Sequence, residues 1–312
     1  MVKIINTYLN MKKQTPRVSV VMSCYNSEKY LRPAIDSILN QTFSDFEFII
    51  WIDGSTDSTD KIIESYTDPR IRYYYHENTG LGTALNLACK EAEGEYIARM
   101  DADDISLPDR LKKEVEFLDK NKDYVLVSSA VNYIDEDSKY IGRSFPYTWN
   151  RIIKRVIFKA SLIVHPAVMY RKDAYLSSCG YMNIEGGEDR VLWGRMGDIG
   201  KYRNLSTPLL NYRILPNSLS HVNEGSPYSF ILRGLREKIA RDKNVHEDDI
   251  KLHNQIIAHI KKTKTETEKK FVTREVNKLS KVYDKLSRII KSEILEQIII
   301  FTKNIYGVLF LK

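Results

Sequence analysis

Short β-branched and apolar runs alternate with stretches of helical spacing over the first hundred positions. The run "RVSVVMSCYN" (17–26) has the pattern of a strand buried on both faces. "SEKYLRPAIDSILNQ" (27–41) follows with apolar positions at helical spacing and Ser27 as the predicted N-cap. A second strand is predicted at "FEFIIWID" (46–53), then the turn "GSTDSTD" and a helix through "KIIESY". "RIRYYYHEN" (70–78) predicts a third strand, and "GLGTALNLACKEAEG" (80–94) a third helix closed by Gly94. The fourth strand is "EYIARMDADD" (95–104). This alternation predicts right-handed crossovers and a mostly parallel sheet, in which ligands sit beyond the carboxyl ends of the strands. Three of the strands end there on polar residues: Tyr25 and Asn26, Asp53, and the acidic group Asp101, Asp103 and Asp104.

Further strands are predicted at "YVLVSSAVNYID" (124–135), "SLIVHPAVMYR" (161–171) and "PLLNYRIL" (208–215), with a short helix in "GGEDRVLWGRMGDIG" (186–200). From about residue 226 the pattern is helical throughout. Val276, Leu279, Tyr283, Leu286 and Ile290 alternate spacings of three and four, a short coiled-coil-like seam. The final run, "ILEQIIIFTKNIYGVLFLK" (294–312), is interrupted by Glu296, Lys303 and Gly307. It falls short of the roughly 20 mostly apolar residues that a spanning helix needs. The expected class is therefore α/β: a Rossmann-like, mostly parallel mixed sheet flanked by helices, with an α-helical C-terminal extension. The expected division is residues 1–225 and 226–312.

Composition sharpens this division. The chain has 312 residues, 43% of them apolar, enough for one large domain and an appended segment. Its net charge of +7 is unevenly placed. Residues 1–225 carry 29 Lys/Arg against 30 Asp/Glu, while residues 226–312 carry 19 against 11. A nearly neutral first part argues against nucleic-acid binding. A basic extension points to something acidic or amphiphilic. The extension could lie on an anionic membrane surface, pair with its copy along the seam, or fold back over the first domain. Cys24, Cys89 and Cys179 form no C-x-x-C pair, which disfavours a disulfide framework and a cysteine zinc site. No secretory signal pattern opens the chain, so a cytoplasmic location is expected, at the inner face of the cell membrane if the extension binds lipid.

The chemistry concentrates in "YIARMDADDISLPDR" (96–110). Asp101 and Asp103 share one side of an extended chain, because side chains alternate with period two. Paired carboxylates of this kind suit Mg²⁺ or Mn²⁺ beside a phosphate. The competing expectation is that Asp103 or Asp104 caps the helix that follows. Similarly, Asp189 after Gly186-Gly187 stands where a helix N-cap is common. Trp193, one turn on, could stack on a ligand's ring or fill the core. Lys201, Arg203 and Arg213 could steady phosphates or lie exposed, and His165 and His221 could contact a metal or be structural.

In combination, "VSVVMSCYNSEKYL", "DGSTDST", "ENTGLGTALN", "YIARMDADDISLPDR", "GGEDRVLW" and "YRI" resemble the family 2 glycosyltransferases of the GT-A fold, in the family's order over roughly residues 17–215. The resemblance implies a donor-binding half at about 17–110 and an acceptor-side half at about 111–225. It implies that Tyr25 and Asn26 meet the nucleoside and that Asp53 hydrogen-bonds the base. Asn78, Gly80, Arg99, Asp101 and Ala102 would complete the nucleotide-sugar site, and Asp103 would hold Mn²⁺ or Mg²⁺. Asp189 would deprotonate the acceptor, with Glu188 beside it. Two departures stand out: Ile52 precedes Asp53 where the family usually has Asp, and no His follows Tyr212-Arg213.

The implied activity is metal-dependent, inverting transfer of a hexosyl or N-acetylhexosaminyl group. The expected donor is a UDP-sugar, and the acceptor a carbohydrate or lipid-linked hydroxyl in bacterial surface polysaccharide synthesis. A sugar-1-phosphate nucleotidylyltransferase would need a glycine-rich loop after the first strand, and "MSCYNSEKYL" has no glycine. The remaining alternative is a non-catalytic sugar-nucleotide-binding or scaffold protein.

Overall fold

Alternate residues of the first strand feed two different cores, and this explains the three-layer build. A computed structural model describes residues 15–158, 162–215, 229–242 and 247–263. In β1 (Val18–Cys24), Val18, Val20, Met22 and Cys24 face one side, and Val21 the other. On the first side they meet α1 (Leu31–Leu39), α2 (Thr59–Glu64) and α4 (Arg110–Lys120), through Leu31, Ile35, Ile38, Ile63, Leu111, Val115 and Leu118. On the second side lie α3 (Leu81–Lys90), α5 (Asn150–Val156), α6 (Lys172–Ser177) and α7 (Glu188–Met196). Burial on both faces is what the unbroken apolar runs demanded.

The strands are β2 (Phe46–Asp53), β3 (Ile71–His76), β4 (Tyr96–Asp101), β5 (Ile105–Ser106), β6 (Tyr124–Ile134), β7 (Tyr140–Arg143), β8 (Met169–Arg171) and β9 (Lys201–Arg213). They form one sheet in the order β3-β2-β1-β4-β8-β6-β9-β5, with β7 paired to β6. Strands β1 to β4 are mutually parallel, whereas β8 runs antiparallel to β4 and to β6. The chain leaves β1 toward β2 on one side and reaches β4 on the other, so a crevice opens where their carboxyl ends diverge. Cys24 is level with Ile52, and Ser23 with Asp101, which brings the three polar strand ends side by side.

Several local expectations are corrected. Residues 161–171 were expected to form a strand, but His165–Ala167 make a 3₁₀ turn and only Met169–Arg171 are extended. Pro166 has no N–H to give a ladder. Helix α1 begins at Leu31, not after Ser27, whose backbone N–H instead reaches Thr59 Oγ1 at 2.8 Å. Strand β9 starts seven residues before the expected Pro208 and passes it through register shifts opposite Ala130, where the ladder tolerates a missing donor. Gly94 does not close α3; a side chain there would strike the Ser19 backbone nitrogen, so it marks a close approach of two chain segments.

Helices α8 (Ser229–Arg241) and α9 (Glu247–Thr263) follow, and Ile239 and Ala240 of α8 cluster with Val191 of α7 and with Ile184 of the loop before it. Among the described residues no helix is long and apolar enough to cross a membrane. The seam at 276–290, the apolar run at 294–312 and His221 lie outside the described residues.

Candidate active site

The crevice is lined first by the ends of β1 and β2. Asn26 adopts a left-handed backbone, and its side-chain oxygen accepts from the Thr56 N–H at 2.8 Å, tying the two strand ends together. Tyr25 beside it is 54% exposed and presents its ring to solvent. Asp53 is buried, and its carboxylate accepts from Thr79 N–H (2.9 Å), Thr79 Oγ1 (3.0 Å) and Gly80 N–H (3.0 Å). It thereby moulds the Asn78–Gly80 loop that opens α3. Gly54 and Asn78 meet so closely that a Cβ on Gly54 would lie 2.6 Å from the Asn78 nitrogen. Ile52, the departure before Asp53, is simply core.

At the end of β4, carboxylate oxygens of Asp101, Asp103 and Asp104 all lie within 4.8 Å of one another. Like charges this close oppose ionisation. Burial and then the Asp101 charge push Asp103 up to about 6, and burial and its two neighbours raise Asp104 well above the ordinary carboxylate value. The positive partners that such crowding demands are two buried arginines. Arg99 makes an ion pair with Asp101. Burial opposes the charge on Arg99, but Asp101 outweighs it, so the guanidinium is held above the ordinary arginine value. Arg213 donates its backbone N–H to Asp104 Oδ1 at 2.7 Å and its Nε–H to the Asp103 carbonyl at 2.8 Å. Its Nη1 donates to the carbonyls of Asp135 (2.7 Å) and Glu136 (3.2 Å), and its Nη2 to Ser138 Oγ (3.0 Å). The guanidinium also lies over the Tyr30 ring, 4.2 Å from its centroid. Pairing of β5 with β9 delivers Arg213 to this place.

Asp104 is therefore held by β9 and does not cap α4, whose N-cap is Asp109 without a side-chain bond. Its second oxygen, Oδ2, is buried with no hydrogen-bond partner. A buried orphan oxygen among three crowded carboxylates fits a hard divalent cation such as Mn²⁺ or Mg²⁺. Ala102 between them is buried and packs into the core. Beneath the turn, Arg110 pairs with Glu114 at 3.3 Å inside the core and donates to the Arg99 carbonyl at 2.6 Å.

The opposite wall is the start of α7. Gly187, left-handed at φ +96°, precedes Glu188, and neither Glu188 nor Asp189 caps the helix. The capping expectation for Asp189 thus fails. Glu188 is buried and lies beside α3: a Cβ on Gly82 would stand 3.7 Å from Glu188 Cβ. Burial and then the Asp189 charge push Glu188 up to about 7, while Arg99 pulls the other way. Arg99 thus acts electrically on both walls. His165 lies 3.7 Å from Glu188 and 3.0 Å from the Tyr181 hydroxyl. Burial and then Arg99 hold the imidazole well below its ordinary value, so it is neutral and its approach to Glu188 is not an ion pair.

Three expectations are settled against a role here. Trp193 is fully buried among Tyr170, Tyr181 and His165, and offers no ring face. Lys201, paired with Asp123 at 2.6 Å, and Arg203 sit at the start of β9, the other end of the strand from Arg213.

A family model described as "Glycosyl transferase family 2" matches residues 19–177, half of the chain. The chain is a family 2 glycosyltransferase. This glycosyltransferase is 38% identical over 225 residues to an uncharacterized glycosyltransferase of Methanocaldococcus jannaschii, covering 69% of this chain and 77% of the relative. It is 39% identical over 203 residues to the O-antigen biosynthesis glycosyltransferase WbnJ of Escherichia coli, covering 63% and 79%. Staphylococcus aureus TarS, solved with UDP-GlcNAc, aligns with a TM-score of 0.60 at 20% identity, over 80% of this chain and 74% of that one. At that identity the likeness speaks for the fold, and the glycosyltransferase has the GT-A fold.

Proposed function

We propose that this glycosyltransferase moves a hexosyl or N-acetylhexosaminyl group from a nucleotide diphosphate sugar, a UDP-sugar, to a carbohydrate or lipid-linked acceptor hydroxyl with inversion. The observation that carries the reading is the crevice itself, with the Asp101–Asp104 turn on one wall and Glu188–Asp189 on the other. Membership of the family, the O-antigen relative and the UDP-GlcNAc complex of the structural neighbour support donor class and setting in surface polysaccharide synthesis.

The Asp53-moulded loop and Tyr25–Asn26 receive the nucleoside, and Asp101 meets the ribose and diphosphate. Mn²⁺ or Mg²⁺ held by Asp103, with Asp101 and Asp104 beside it, supplies Lewis-acid stabilisation of the leaving diphosphate when bound. Asp189 accepts the acceptor hydroxyl's proton, and general-base catalysis contributes about 10²–10⁴-fold. Glu188 lies buried beside Asp189 and is itself pushed up to about 7 by burial and then by the Asp189 charge. Arg99 holds the two walls in electrical register. Residues 17–110 form the donor half and 111–225 the acceptor half in this reading. Within the basic extension of residues 226–312, the apolar stretch 294–311 serves peripheral contact with an anionic membrane face.

Calorimetric titration with UDP and UDP-GlcNAc, with Mn²⁺ and with chelator, tests the donor site. Binding that needs the metal and is lost in Asp103→Asn supports it; metal-independent binding unaffected by the substitution would overturn it.

A further inference from the structure

The helical pair α8–α9 lies wholly beyond the residues matched by the family model, yet it reaches the acidic wall of the crevice. Arg236 of α8 is 4% exposed and donates through Nη2 to the Gly186 carbonyl at 2.8 Å. Its Nε–H donates to Nε2 of His253, a fully buried residue of α9, at 3.1 Å. The guanidinium occupies the space where residue 187 would carry a side chain: a Cβ there would lie 2.7 Å from Arg236 Cζ. Glycine at 187 thus serves two needs, a positive φ and room for a cation. Asn254 of α9 holds the same loop, accepting the Glu185 N–H at 2.9 Å and donating to the Asn183 carbonyl at 3.2 Å. A second arginine, Arg195 of α7, donates to the Ile239 carbonyl of α8 at 3.0 Å and locks the two helices together.

We propose that Arg236, oriented by His253, is a positioning residue that holds the Gly186–Gly187 turn and so aims the Glu188–Asp189 pair at the acceptor hydroxyl. The pair α8–α9 is then part of the catalytic unit and not of a separable tail. A buried guanidinium is costly to desolvate, and here it is placed where a neutral side chain could have filled the volume. Its position is explained by what it touches. One donor fixes the carbonyl that begins the turn, and its charge lies within electrical reach of Glu188 and Asp189. His253 accepts from Arg236 only as a neutral imidazole, and burial and then the Arg236 charge lower it to about 4, so it stays neutral across the working range. Lysine could not replace the arrangement, because a single ammonium cannot span both His253 and Gly186 in a planar fork.

The proposal rests on Glu188–Asp189 being the acceptor-side acids. It is tested with Arg236→Met, Arg236→Ala, Arg236→Lys and His253→Gln in the full chain, using UDP-GlcNAc turnover with Mn²⁺, donor affinity by calorimetry, and amide hydrogen exchange. The expected result for Arg236→Met is a kcat lower by about 10²-fold, as for misplacing a reacting group by roughly 1 Å. Donor Kd is unchanged, and exchange is faster only over residues 185–191. Arg236→Lys falls between Met and wild type, His253→Gln retains an acceptor and stays close to wild type, and added ethylguanidinium restores part of the activity of Arg236→Ala. Wild-type kcat in Arg236→Met, or parallel loss of donor binding and protection throughout the chain, overturns the positioning role. If the wild type turns over no donor, the functional reading fails, and exchange at 185–191 still decides whether Arg236 orders the turn.

Discussion

Replacing Arg213 removes the only side chain that joins Asp103, the turn after β6 and Tyr30 among the described residues. Its guanidinium donates four hydrogen bonds, to the carbonyls of Asp103, Asp135 and Glu136 and to Ser138 Oγ, at 2.7 to 3.2 Å. Hydrogen bonds from a charged donor are worth about 1.5–3 kcal/mol each; truncation leaves the half-buried Asp103 and Asp135 carbonyls without their donor, whereas Glu136 and Ser138 are exposed and can turn to water. Stacking over Tyr30 adds about 0.5–2 kcal/mol. These contributions share one side chain and are not additive, so losing the two bonds to half-buried carbonyls together with the stacking is expected to cost about 3–5 kcal/mol in Arg213→Met. Arg213→Lys keeps the charge but cannot serve the three directions at once, and is expected to lose about half of that. Urea unfolding with and without Mn²⁺ gives both quantities. The loss is expected to be larger in the presence of Mn²⁺, because a turn no longer held by Arg213 also binds the cation more weakly. A change below about 1 kcal/mol for Arg213→Met, the range of an exposed ion pair, would refute the reasoning.

Asp53→Asn places an amide NH₂ where the carboxylate accepts from Thr79 and Gly80, so UDP affinity and melting temperature should both fall; unchanged UDP affinity by calorimetry would remove Asp53 from the donor site. Glu114 is pushed up to about 7 by burial, with Arg110 opposing. A carboxyl raised on folding contributes stability present below its unfolded value and lost as pH rises through about 7. Melting temperature should therefore decline between pH 5 and pH 8, and Glu114→Gln should flatten that slope; an equal slope would exclude Glu114 as a cause. Full-length protein should sediment with anionic but not neutral vesicles, at about 1 kcal/mol per basic residue near the surface. A chain ending near residue 290 should bind more weakly, and equal binding by both would assign the contact elsewhere.

What could be read along the chain was whatever is local. The short unbroken apolar runs of β1 and β2, buried on both faces, and the helical spacing of α1 and α3 announce the donor half. Asp101 and Asp103 announce themselves because both sit within three residues of one strand end. Arg110 was visible as the last residue of "YIARMDADDISLPDR", although its work under Arg99 was not. Arg213 stood in a quoted motif and was expected to steady phosphates or lie exposed; its partner Asp103 lies 110 positions away, which no local pattern announces. Arg236 carried no local sign at all: its meaning comes from Gly186, 50 positions earlier, and from His253 on the next helix. The strand β8 and helices α5 and α6 were missed or misplaced where Pro166 and short length weaken periodicity.

The proposed chemistry needs the two walls of the crevice to act together on a nucleotide sugar. It is tested most directly by measuring nucleotide release from a panel of UDP- and GDP-sugars, with Mn²⁺ or chelator, for wild type, Asp103→Asn and Asp189→Asn. The wild type is expected to release nucleotide from a UDP-sugar only with the metal, and Asp103→Asn to lose that release. Asp189→Asn is expected to release at least about 10²-fold more slowly with donor affinity retained. Release that persists in chelator and in Asp103→Asn, or full activity of Asp189→Asn, would contradict it.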